Sequence, residues 1–140
     1  MTVASSPATA RVVVVDDDED VRDALCELLE RRGCAVVGRA TNGAEAVTVT
    51  SDTDPDVVLM DLRMPDVDGI SAFRQIKHRS PATQVIILSA YDDESLRELA
   101  DGIGVYGYLV KGCPAQLILD TVVRAFRMKR DVEAKAASDR

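Results

Sequence analysis

The chain has 140 residues, 46% hydrophobic and 29% charged, one domain's worth of an ordinary globule with little room for intrinsic disorder or fibrous repeats. Seventeen Lys and Arg against twenty-four Asp and Glu give a net charge of −7, so the broad basic footprint that phosphate backbones require is missing and direct contact with nucleic acid is not expected. The excess is uneven, a net −9 over residues 1–70 and a net +2 over residues 71–140, so something in the first half gathers carboxylates.

Residues 1–10, small and polar with Pro7, predict a frayed lead-in rather than a targeting segment. Val12 to Val15 is a continuous β-branched run, the pattern of a strand buried on both faces and far too short to span a membrane. It ends at Asp16-Asp17-Asp18-Glu19-Asp20. Val21, Ala24, Leu25, Leu28 and Leu29 then form a helical stripe that Asp18 or Glu19 opens and Gly33 closes. Ala35 to Ala40 predicts a second strand, Asn42-Gly43 a turn, and Ala44 to about Thr50 a short helix, against the β-branched character of Val47 to Thr50. Asp56 to Met60 is a third buried strand ending at Asp61. A loop with Pro65 and Gly69 leads to a helix carrying Ile70, Phe73 and Ile76.

Beyond Pro81, a fourth strand is expected over Gln84 to Leu88, ending at Ser89. Asp92 or Asp93 caps the next helix, which runs to about Ala100 with Leu96 and Leu99 on its inner side. Gly107 to Val110 is the fifth strand, ending at Lys111. A long helix then starts with Pro114 in its first position and runs to at least Arg130, with residues 131–140 a polar tail. Five βα units in succession predict a doubly wound parallel sheet with helices on both faces, over a domain spanning residues 11–130.

Ligands of such sheets sit at the carboxyl ends of the strands, where this chain delivers Asp16, Asp17, Asp61, Ser89 and Lys111. Clustered carboxylates repel unless a cation compensates, and an all-oxygen set suits a hard ion such as Mg²⁺. A hydroxyl and an ammonium nearby are what a transferred phosphoryl group needs, so the chemistry points to phosphoryl transfer onto a carboxylate. Cys26, Cys34 and Cys113 are odd in number with no CxxC pair, and His78 is the single histidine; these read as residues without chemistry, in a chain expected to be cytoplasmic.

With Val15-Asp16-Asp17, the stretch Asp61 to Gly69, Ser89-Ala90 and Gly107-Tyr108-Leu109-Val110-Lys111 in order at successive strand ends, the chain resembles the receiver domain of two-component response regulators over roughly residues 11–130. The resemblance implies a flavodoxin-like (βα)5 fold and phosphorylation of Asp61 by a sensor histidine kinase or phosphotransfer protein, with at most slow self-dephosphorylation rather than enzymatic turnover. It implies Mg²⁺ held by Asp17, Asp61 and the backbone carbonyl of Arg63, with Asp16 acting through water. Ser89 and Lys111 would contact the phosphoryl group. Tyr108, preferred to Tyr106 by its spacing from Lys111, would swing inward as Ser89 moves, switching a face for a downstream protein partner or a homodimer. Arg63 and Tyr91 would tune the phosphate lifetime.

Gly112 stands where a proline often follows the lysine, and this Lys-Gly pattern looks more like receivers joined to LuxR/NarL-type helix-turn-helix domains. Cys113 takes the place of the usual Ser or Thr cap of the last helix. Ile118, Thr121, Ala125, Met128 and Val132 are spaced for a pairing helix, but a solvated helix end is the simpler expectation. Two alternatives are a DNA-binding regulator's receiver, and a Mg²⁺-dependent phosphatase, whose second acid is missing at Arg63.

Overall fold

The alternation read from the sequence is present in the computed structural model, which describes residues 9–62 and 69–139. The lead-in to residue 8, the loop residues from Arg63 to Asp68 and Arg140 lie outside the described residues. Strands β1 (Arg11–Val15), β2 (Ala35–Ala40), β3 (Val57–Met60), β4 (Gln84–Ser89) and β5 (Gly107–Val110) alternate with helices α1 (Glu19–Arg31), α2 (Gly43–Thr53), α3 (Gly69–Arg79), α4 (Glu94–Ile103) and α5 (Ala115–Ser138). The strands form one parallel sheet in the order β2-β1-β3-β4-β5. The chain reverses its direction of travel at β1, which puts the topological switch point at the carboxyl ends of β1 and β3.

Uninterrupted apolar strands work here because successive side chains feed opposite layers. Val12, Val14, Val57, Leu59, Ile86 and Leu88 pack under α1 and α5 with Leu25, Leu29, Ile118 and Val122. Val13, Val15, Val58, Met60, Val85 and Ile87 face α2, α3 and α4 with Val47, Phe73, Ile76 and Ala100. Cys26 is buried in the first layer, and burial raises the pKa of its thiol and that of Cys34.

Helix ends follow local chemistry. Asp18 caps α1 by accepting from the Asp20 and Val21 N–H groups, with Glu19 and Asp20 in the first turn, and Gly33 at φ +88 lies just past its end. Asn42, expected in a turn, is instead the cap of α2: its Oδ1 accepts from Glu45 N at 2.9 Å, while Glu45 Oε1 accepts from Thr41 N at 2.8 Å, one residue before the cap. That helix outlasts the expected Thr50 by three residues, to Thr53, because Val47 and Thr50 are buried and packing overrides the modest β-branched penalty.

Asp93, of the two candidates, caps α4. Its inner face is Leu96, Ala100 and Ile103, whereas Leu99, expected inside, is exposed; spacings of four and three carry the stripe past Leu99. Pro114 is not the first residue of α5 but its cap residue, extended at ψ 139, and the cap has no side-chain hydrogen bond. Cys113 therefore does not occupy the capping position. The helix continues through the expected tail to Ser138. Of the spaced residues on α5, Ile118, Thr121 and Ala125 are buried while Met128 and Val132 are exposed.

Gly69, the first residue of α3, fits by size: a Cβ there would lie 2.7 Å from the Cα and carbonyl oxygen of Leu62. This close approach seats α3 against the backbone that leaves Asp61.

Thr50 Oγ1 is, among the described residues, a buried side-chain oxygen with no hydrogen-bond partner. Thr50→Val keeps the shape and removes the unmatched hydroxyl, so it is expected to raise unfolding free energy by about 1 kcal/mol. Urea denaturation followed by circular dichroism checks this, and a destabilised variant would show that the hydroxyl is satisfied.

Candidate functional site

Parallel register assembles the site. Val15 pairs with Met60, so the next residues, Asp16 and Asp61, leave adjacent strands side by side. Asp16, Asp17 and Asp61 each offer a carboxylate oxygen, and these oxygens lie within 4.8 Å of one another, with Asp16 and Asp61 buried and Asp17 exposed. On the other side Ser89 pairs with Val110, and Lys111 N donates to Ser89 O at 2.7 Å. That register brings the Lys111 ammonium back over the carboxylates, 2.7 Å from Asp16 Oδ2 and 2.9 Å from Asp61 Oδ2. Gly112, at φ +96, makes the turn that follows.

Burial pushes the Lys111 pKa down, but the hydrogen bonds the ammonium donates to Asp16 and Asp61, with their negative charges, outweigh it and raise the pKa above the ordinary lysine value. Lys111 therefore keeps its positive charge at neutral pH. Three carboxylates against one ammonium still leave an anionic, all-oxygen donor set. Such a set fits a small hard divalent cation and disfavours softer metals.

A second group of contacts runs outward from Ser89. Its side chain is fully buried, and its Oγ accepts from Tyr91 N at 3.2 Å, which leaves the hydroxyl proton to donate. The Tyr91 carbonyl accepts from the Tyr108 hydroxyl at 2.7 Å. Tyr108 is buried between β5 and α4, whereas Tyr106 packs in the opposite layer. Tyr108 thus already occupies the inward position to which the sequence expected it to swing. Arg97 on α4 covers the Tyr108 ring, its guanidinium carbon 4.8 Å from the centroid, and pairs with Asp92 at 2.9 Å.

The arrangement unites the strand-end residues expected from the sequence, apart from Arg63, which lies outside the described residues. Sequence reasoning missed Arg97, which belongs to no motif. It also missed Arg22, whose Nη1 donates to the backbone carbonyl of Asp16 at 2.8 Å.

Residues 12–123 match the response regulator receiver domain family. The chain belongs to that family. As a receiver domain it is a phosphoryl-acceptor signalling module of two-component systems. It is 36% identical over 118 residues to the transcriptional regulatory protein YdfI of Bacillus subtilis (strain 168), covering 84% of this chain and 55% of YdfI. It is 34% identical over 112 residues to the chemotaxis protein CheY of the same organism, covering 80% of this chain and 93% of CheY. The receiver also matches the crystal structure of a LuxR-family two-component response regulator from Aurantimonas sp. SI85-9A1, at 31% identity and TM-score 0.80, over 94% of this chain and 97% of the other. The chain spans about half the length of curated transcriptional regulators such as YdfI. No helix among the described residues is long and apolar enough to cross a membrane.

Proposed function

We propose that this receiver works in the cytoplasm and takes a phosphoryl group onto Asp61 from the phosphohistidine of a sensor histidine kinase or phosphotransfer protein. The observation that supports it is the shared Lys111 ammonium on Asp16 and Asp61, beside an exposed third carboxylate, Asp17. An Asp61 carboxylate oxygen attacks phosphorus as the P–N bond breaks. The electron pair stays on the imidazole nitrogen, and the product is an acyl phosphate. Lys111 holds the Asp61 carboxylate in place and offers positive charge to the phosphoryl oxygens as they approach, while the Ser89 hydroxyl donates to one of them.

Asp17, Asp61 and the backbone carbonyl of Arg63 would hold Mg²⁺, with Asp16 acting through water. When bound, the ion supplies positive charge that lets an anionic phosphoryl group approach an anionic nucleophile. The same residues permit slow hydrolysis of the acyl phosphate, with Arg63 and Tyr91 setting its lifetime.

The output lies along the path from Ser89 through Tyr91 to Tyr108. A change at Ser89 alters what the Tyr91 turn offers the Tyr108 hydroxyl, and so shifts the population of the α4–β5–α5 face that a downstream protein or a second copy reads. The phosphatase alternative is not favoured, since the matched residues are those of a receiver.

Acetyl phosphate with Mg²⁺ is expected to add one phosphoryl group by intact mass, and chelation of the metal to prevent it. An unchanged mass, under conditions that label a control receiver, would overturn the proposal.

A further inference from the structure

Arg22, a cation that the proposed reaction does not use, is tied to the acidic turn itself. It is half-buried on α1, and its own N–H makes the helix's hydrogen bond to Asp18 O at 3.0 Å. A cation this close to a helix N-terminus opposes the macrodipole, which favours acids there, and Glu19 and Asp20 conform to that preference. The guanidinium instead reaches back to the Asp16 carbonyl at 2.8 Å.

Asp16 is almost fully buried, so each of its polar atoms needs a partner within the protein. Its N–H donates to Ala40 O at 3.1 Å. Its Oδ1 accepts from Asp18 N at 2.9 Å, and its Oδ2 from Lys111. The carbonyl is the linkage to Asp17, and Arg22 takes it up. Three of these contacts orient the Asp16 side chain and strand end, whereas the fourth acts on the peptide plane from which Asp17 departs. Asp17, exposed and at the start of the turn, depends on that plane for the direction of its carboxylate.

We infer that Arg22 is a positioning residue for the divalent-cation site: by holding the Asp16 carbonyl it aims the Asp17 carboxylate at the ion. The inference rests on the metal site proposed above. It has a sign that a purely electrostatic role would reverse. Removing a positive charge beside three carboxylates tightens cation binding by Coulomb attraction alone, whereas removing a positioning contact weakens it.

Mg²⁺ affinity of the full chain is measured by calorimetry and by ¹⁵N–¹H NMR titration, with amide dispersion reporting the fold. Arg22→Met is expected to weaken Mg²⁺ binding about tenfold, the scale of lost outer supports at metal sites. Arg22→Lys, which keeps a charge and a donor, is expected to restore much of it. Should Arg22→Met fail to fold, Arg22→Gln, a neutral side chain with a donor on a shorter stem, replaces it, and weakened binding is again expected. Unchanged or tighter binding in either neutral variant overturns the inference. A wild-type chain that binds no Mg²⁺ overturns the metal site, and this inference with it.

Discussion

Asp61→Asn is expected to abolish labelling by acetyl phosphate in Mg²⁺, a fall of at least ~100-fold, while the chain stays folded. A carboxamide has no anionic oxygen with which to attack phosphorus. The substitution is nearly isosteric, and it leaves Asp16 to hold Lys111 at 2.7 Å, so unfolding is not the cause of the loss. Intact mass after incubation, with circular dichroism as the control for folding, reads the result. A variant labelled as fast as the wild type would move the acceptor to another side chain and leave the Lys111 contact at Asp61 without its proposed purpose.

Lys129→Ala is expected to lower unfolding free energy by roughly 3–5 kcal/mol, the usual cost of breaking a buried ion pair from one side. Lys129 Nζ lies 3.1 Å from Asp56 Oδ1, with both side chains nearly out of solvent, and Asp56 Oδ2 accepts from Arg11 N at 2.8 Å. Truncating the lysine strips this buried carboxylate of its ion-pair partner and leaves it the Arg11 N–H as a donor among the described residues. The double variant Lys129→Met, Asp56→Asn removes both charges, keeps an acceptor for the Arg11 N–H, and is expected to regain most of the loss. Denaturant unfolding of the single and double variants decides it. A loss below about 1 kcal/mol would place the pair with ordinary solvated ion pairs.

The strands were readable because burial on two faces demands unbroken apolar runs, and Val12 to Val15 or Val57 to Met60 can satisfy little else. Helices were harder wherever the decisive contact was not local. Val47 and Thr50 argued for stopping α2 early, and only their burial shows why the helix continues. Leu96 and Leu99 looked equivalent by spacing, yet the stripe passes through Ala100. Asn42 was legible as punctuation, but its role as a cap needed the contact from Glu45 N.

The site divides in the same way. Asp16, Asp17, Asp61, Ser89 and Lys111 could be named in advance, because each follows an apolar strand and parallel strands deliver their carboxyl ends to one edge. The Arg97 roof above Tyr108 and the Arg22 contact with Asp16 could not. Arg22 left one trace, a cation where a helix prefers acids.

What the amino-acid order determined alone is therefore the alternation of strands and helices, the edge of the sheet where the chemistry sits, and the kind of chemistry three carboxylates and an ammonium can do. These depend on periodicity and on residue type, which are local. Tertiary structure alone decided which charges meet: Lys111 with Asp16 and Asp61, and Lys129 with Asp56, 73 residues apart. Such pairings depend on strand register and helix placement, and those are set by how the whole core packs.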